Sequence, residues 1–175
     1  IISIIISIAM CAMLASCGGV KNEVSDTEQP TLIDTMSLEE KVGQILFVRC
    51  VDDEQTDDLM SIKPGGILMF GRDFEGLTKD EVKEKIQSYQ DKSDIPLIIG
   101  ADEEGGTVVR VSSNPNLAPE KFKSPQEIYN EGGMDAVVEN ATEKSELLLS
   151  LGVNMNLAPV ADVSTNPSDY MYDRS

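Results

Sequence analysis

The chain is 175 residues long, a length that suits a single domain, and 41% of its side chains are hydrophobic against 26% charged. Its 31 acidic residues outnumber 14 basic ones for a formal net charge of −17. This argues against a nucleic-acid partner, because phosphate binding needs clustered Lys and Arg.

The first segment, IISIIISIAMCAMLASC (1–17), carries no charge. It is shorter than the roughly 20 apolar residues that span a bilayer and reads as the h-region of a secretory signal. Leu14-Ala15-Ser16-Cys17 resembles the lipobox of bacterial lipoproteins, which implies lipidation of Cys17. The expected product is exported and held to the bacterial cell envelope through that lipid. No initiator Met or basic stretch precedes Ile1, so the gene product is expected to begin further upstream. Cys11 would leave with the signal. Cys50 is then the remaining thiol, and it reads as a small buried hydrophobe near a strand end. Residues 18–35 begin with the polar run GGVKNEVSDTEQPT and read as a flexible tether, with the folded domain occupying 36–175.

Three capping boxes mark helix starts: Ser37 with Glu40, Thr78 with Glu81, and Ser124 with Glu127, the last followed by Pro125 at the first helical position. Segment 79–89 places Val82, Ile86 and Tyr89 on one helical face. Segment 134–149 is predicted to do the same with Met134, Val137, Val138, Ala141, Leu148 and Leu149. Between the helices lie four apolar runs: GQILFVRC (43–50), GGILMF (65–70), PLIIGA (96–101) and VNMNLAPV (153–160). None alternates cleanly, as expected of strands buried on both faces of a parallel sheet. The order is helix, strand, strand, helix, strand, loop, helix, strand, an α/β pattern that leaves doubly wound and (β/α) barrel folds both open. In either fold ligands bind at the carboxyl ends of the strands. Three runs there are followed by an acid: Asp73, Asp102 and Asp162.

The densest group is GADEEGGTVVRV (100–111). If the chain stays extended, Asp102 and Glu104 share one side and Glu103 takes the other. Gly105 and Gly106 allow a tight turn and close backbone approach to a ligand, and Arg110 is able to return as a bidentate partner for a carboxylate or sugar hydroxyls. An EF-hand loop counted from Asp102 would need a closing Glu at its twelfth position, which is Ser113. No phosphate-cradling glycine motif is present, and a chain with no histidine has a poor ligand set for zinc. Paired carboxylates in acid/base work, as in glycoside hydrolysis, remain possible on residue type.

IIGADEEGGTVVRV resembles the D-x-E-G-G-x-V-x-R signature of glycoside hydrolase family 3. MSLEEKVGQILFV, PGGILMFGRD, GVNMNLAPVADV and NPSDYMYDRS are similar, in the same order, to further segments of that family, so the likeness runs from about Met36 to Ser175. The details fit best the β-N-acetylhexosaminidase branch, with β-glucosidases second. The resemblance implies the first part of a (β/α)8 barrel in an enzyme that removes a terminal β-linked sugar with retention. N-acetylglucosamine is the expected sugar, and no metal or organic cofactor is implied. Carried over by motif, Asp102, Arg110 and Arg174 contact the sugar, Asp162 lies close to the site, and Glu104 supports the loop with Gly105 and Gly106. Thr107, Glu103 and Asp73 depart from the arginine, glutamine and asparagine frequent in the family. The histidine-rich segment, the acid/base histidine and the nucleophilic aspartate of the branch have no counterpart up to Ser175. The chain is therefore expected to be an N-terminal portion with substrate-binding residues but no catalytic ones, inactive alone and with one sheet face uncovered. A non-catalytic sugar-binding surface lipoprotein is the alternative from a different functional class.

Overall fold

A computed structural model describes residues 30–49, 55–172 and 174. Cys11, Cys17 and Cys50, with the signal and most of the tether segment, lie outside the described residues. Two compact units are distinguished, Ile1–Thr35 and Met36–Ser175. In the first, one helical turn, α1 (Leu32–Thr35), is closed by Asp34 accepting the Thr31 amide at 2.8 Å. Among the described residues no helix is long and apolar enough to cross a membrane.

The second unit opens on α2 (Leu38–Gln44). Ser37 Oγ accepts the Glu40 amide at 3.1 Å while the Glu40 carboxylate accepts the Ser37 amide at 2.8 Å, the reciprocal cap that the sequence spells. There follow β1 (Phe47–Val48), α3 (Thr56–Ser61), β2 (Gly66–Met69), α4 (Gly71–Phe74), α5 (Lys79–Gln90), β3 (Ile98–Ala101), α6 (Pro125–Leu151) and β4 (Met155–Asn156). Gly43 and Gln44, expected at the start of the first strand, are instead the last turn of α2. The helix α3 was not anticipated. It has no capping-box spelling and buries only Thr56 and Met60, so neither of the two helix signals announces it. Its presence supplies the crossover that two parallel neighbours require.

All strand pairs are parallel and the spatial order is β1-β2-β3-β4. Sequential order decides between the two folds left open by the sequence: a doubly wound sheet reverses its order at a switch point, whereas a barrel adds each strand beside the last. The strands are short and register pins them, with Gly66–Met69 facing Ile98–Ala101 residue by residue.

One sheet face carries the core. Ile67, Met69, Ile99 and Ala101 are buried against Val82, Ile86 and Tyr89 of α5 and Leu148 and Leu151 of α6. The α5 face is the one its periodicity predicts. The α6 face is only in part: Leu148 is buried as predicted, but Met134, Val138 and Leu149 are 60–64% exposed, and Ala141 is exposed too. The inward line runs instead through Lys144, Leu148 and Leu151. Gly133, at φ 66° and ψ −155°, breaks the helical conformation, so the stretches before and after it are two helical pieces with separate faces. On the other sheet face, Phe47 lies across Gly66 and Gly100, where any Cβ would meet its ring at 2.6 and 2.5 Å. Phe47, Ile98, Met155 and Leu157 remain 37–42% exposed there.

Candidate sugar-binding site at the strand ends

The carboxyl end of β3 runs straight into Asp102, Glu103 and Glu104, and strand parity sorts the three. Asp102 follows Gly100 on the face away from the helices and keeps 21% of its side chain exposed. Glu103 follows Ile99 and Ala101 toward the helices and is fully buried. Its carboxylate accepts the backbone amides of Arg110 at 2.7 Å, Val111 at 2.6 Å and Ser112 at 3.3 Å, together with the Ser112 hydroxyl. Its own amide and carbonyl are clasped by the Asn156 side-chain amide of β4 at 3.0 and 3.1 Å. The Glu103 carboxylate thus braces the loop from within.

Glu104 is nearly buried at 5% exposure and is turned to Arg174, which it meets with both oxygens, Nε at 3.1 Å and a terminal nitrogen at 2.5 Å. This bidentate pair holds the Arg174 guanidinium pKa above its ordinary value, and the Tyr170 hydroxyl lies 3.4 Å from the same group. Lys144 rises from α6 beneath the same peptide. Its ammonium donates to the Glu104 carbonyl at 2.8 Å and lies 5.3 Å from the Phe122 ring centre. Burial pushes the Lys144 pKa below the usual lysine range, against the pull of Glu103 and Glu104.

The glycines serve the protein's own backbone. Gly105 has φ 104°, and a Cβ there would lie 2.1 Å from the Lys123 carbonyl oxygen. Gly106, at φ 66°, donates its amide to the Phe122 carbonyl at 2.8 Å. The close approach made possible is therefore to residues 122–124, just before α6. Asn114 fixes the far side of the loop, donating to the carbonyls of Phe74 at 2.6 Å and Leu77 at 2.8 Å.

Held in this way, Arg110 returns to Asp102 and donates to its carboxylate at 3.2 Å. The Nε atom of Arg110 is buried without a hydrogen-bond partner. The Arg110 guanidinium stands 5.5 Å from the ring centre of Phe70, at the end of β2, and Arg49, at the end of β1, lies over the same ring at 4.1 Å. Asp102, Arg110, Phe70 and Arg49 therefore line one patch at the ends of three adjacent strands. A partly exposed carboxylate beside a guanidinium, next to an aromatic ring, offers both the acceptor and the donor that sugar hydroxyls need, with an apolar surface for a sugar ring.

Of the other strand-end acids, Asp73 is 8% exposed and accepts the Phe70 amide at 2.7 Å, closing the turn into α4. Asp162 is exposed, and none of the polar contacts of Asp102, Arg110 or Arg174 involves it. The structure thus pairs Asp102 with Arg110 and Glu104 with Arg174, while Asp162 is exposed. Glu103, Lys144 and Asn156 escaped assignment. Parity with Ile99 and Ala101 was the available signal for Glu103; nothing local marks Lys144. Among the described residues no group of His, Cys, Asp and Glu is arranged to hold a metal ion.

Comparison with known proteins agrees with this architecture. Residues 37–175 match the family described as glycosyl hydrolase family 3 N terminal domain. Beta-hexosaminidase A of Pseudoalteromonas piscicida is 31% identical over 108 residues, covering 60% of this chain and 18% of that protein. Two solved structures align at 26% identity. A glycoside hydrolase family 3 beta-N-acetylglucosaminidase from a Paenibacillus species gives a TM-score of 0.68 over 75% of this chain and 26% of its own. LpqI of M tuberculosis gives 0.67 over 80% and 40%. The chain thus spans less than half of each of these three proteins. With a parallel α/β sheet in sequential order and a family match over nearly all of Met36–Ser175, the chain belongs to the N-terminal domain family of glycoside hydrolase family 3.

Proposed function

We propose that the full-length protein is a retaining β-N-acetylhexosaminidase that releases terminal N-acetylglucosamine, and that residues 36–175 supply its sugar contacts. Asp102 accepts hydroxyl protons of the non-reducing sugar and Arg110 donates to its oxygens. Arg174, held by Glu104, is a further sugar contact in this reading. The observation that carries this reading is the Asp102–Arg110 pair at the end of β3, partly exposed while the neighbouring Glu103 and Glu104 are taken up by internal bonds. Support for the sugar comes from the similarity to a beta-hexosaminidase and a beta-N-acetylglucosaminidase. In this reading residues 1–175 include neither nucleophile nor acid/base, in keeping with a sequence that has no histidine, and the chain alone is inactive. Cys17 carries a lipid that anchors the protein to the cell envelope, which intact-mass measurement of the membrane-extracted protein would register as an added acyl-glyceryl mass.

The test is turnover of an aryl β-N-acetylglucosaminide by the full-length protein. Asp102→Ala removes a carboxylate able to accept two sugar hydroxyls, at roughly 1.5–3 kcal/mol for each hydrogen bond to a charged group, so kcat/KM should fall at least about a hundredfold. Unchanged kinetics would overturn the assignment. Proton NMR of the first-formed product should show the β anomer. Sugar binding without turnover would instead identify a non-catalytic binder.

A further inference from the structure

Lys144 sits where a helix facing a core ordinarily carries an apolar residue: its neighbours along the inward line of α6 are Leu148 and Leu151, and it is itself 7% exposed. Burying an ammonium is costly unless something uses the charge. What lies around it is specific. Its Nζ donates to the Glu104 carbonyl at 2.8 Å, the Phe122 ring is 5.3 Å away, and the charged groups bearing on it are Glu103 and Glu104. With Glu104, Asn140 and Asn156 it lines a cavity of about 200 Å³ under the end of β3.

Two adjacent carboxylates are withdrawn from solvent here and only one has a guanidinium. Glu104 has Arg174, whereas Glu103 is met by four neutral donors and no paired cation. We propose that Lys144 is a positioning residue for the sugar subsite, an inference that rests on the sugar-site reading above. Its charge lies against the two carboxylates, and its bond to the Glu104 carbonyl fixes the peptide at which the chain leaves β3 for the Gly105-Gly106 turn. The Glu103 carboxylate next to that peptide accepts the amides of residues 110–112, which sets the Arg110 backbone and so the approach of its guanidinium to Asp102. Lys144 touches no substrate and acts through Glu103, Glu104 and Arg110.

The inference is tested in the full-length protein with an aryl β-N-acetylglucosaminide, measuring KM and kcat separately. Lys144→Met, which keeps the bulk and loses the charge, should raise KM about tenfold while kcat stays within about twofold, as expected when a charged hydrogen-bonding group that orders a binding loop is lost. Lys144→Arg, which keeps charge and donors, should return KM to within about threefold of the wild type. A role in packing alone would lower the melting temperature without moving KM, and Met would serve at least as well as Arg. Either an unchanged KM in the Met variant or an Arg variant as poor as Met overturns the inference. If the Met variant does not fold, Lys144→Gln is read in its place by the same criteria. Asp102→Ala separates the two levels. If it fails to weaken the enzyme, the sugar-site reading falls and this inference with it; if it weakens the enzyme while the Lys144 variants leave KM unmoved, only this inference falls.

Discussion

Glu103→Ala is the perturbation whose cost follows most directly from the geometry. The Glu103 carboxylate is fully buried and is the acceptor for three backbone amides, those of Arg110, Val111 and Ser112, and for one hydroxyl. Alanine leaves those amides facing a void too enclosed for easy hydration. A buried donor stripped of its partner costs roughly 1–3 kcal/mol, while relief of the carboxylate's own desolvation offsets part of the total, so the expected net loss is about 3 kcal/mol. Glu103→Gln keeps one oxygen for the two short bonds to Arg110 and Val111 but sets its NH2 against the Ser112 amide, which loses its acceptor, and should cost about 1–2 kcal/mol, less than alanine. Urea unfolding of the wild type and both variants gives the numbers, provided the slopes agree. The loop reasoning is refuted if alanine costs under about 1 kcal/mol, or if glutamine costs as much as alanine.

Gly105→Ala combines φ 104° with a Cβ 2.1 Å from the Lys123 carbonyl oxygen, so it should destabilise by roughly 2–4 kcal/mol; Gly76→Ala, at φ 74° with open space, should cost only about 1 kcal/mol, and equal shifts in melting temperature would contradict the close approach. Backbone hydrogen bonds from Thr78 and Ser124 hold the carboxyls of Glu81 and Glu127 below the ordinary value of 4.5. The stability these capping carboxylates add is therefore complete above that range and is lost as pH falls through their lowered pKa values. A Glu81→Gln, Glu127→Gln double variant should flatten the acid limb of the melting temperature, and an unaltered limb would count against the caps.

Much of the architecture was legible in the sequence because it is written in local chemistry. Capping boxes at Ser37, Thr78 and Ser124 name their helix starts, and Val82, Ile86 and Tyr89 mark the buried face of α5. The order of the strands was not legible, since an α/β pattern suits two topologies and only pairing separates them. The face of α6 was partly misjudged because periodicity counts a lysine as an outward residue, whereas Lys144 is held inside by the Glu104 carbonyl. At the site, residue type marked Asp102 and Arg110, yet could not tell a strand-end acid that faces a ligand from one that closes a turn. Asp73 does the latter, accepting the Phe70 amide, and Asp162 stands in solvent. The division of labour between Glu103 and Glu104 depends on which side of β3 each follows, and on Arg174, seventy positions away in sequence.

The most direct test of the central claim is a crystal structure of the full-length protein with N-acetylglucosamine bound. The account predicts sugar hydroxyls within hydrogen-bond distance of the Asp102 carboxylate and the Arg110 guanidinium at the end of β3, with Glu103 still clasping the amides of residues 110–112. A sugar seated elsewhere, with the Asp102–Arg110 pair untouched, would contradict it.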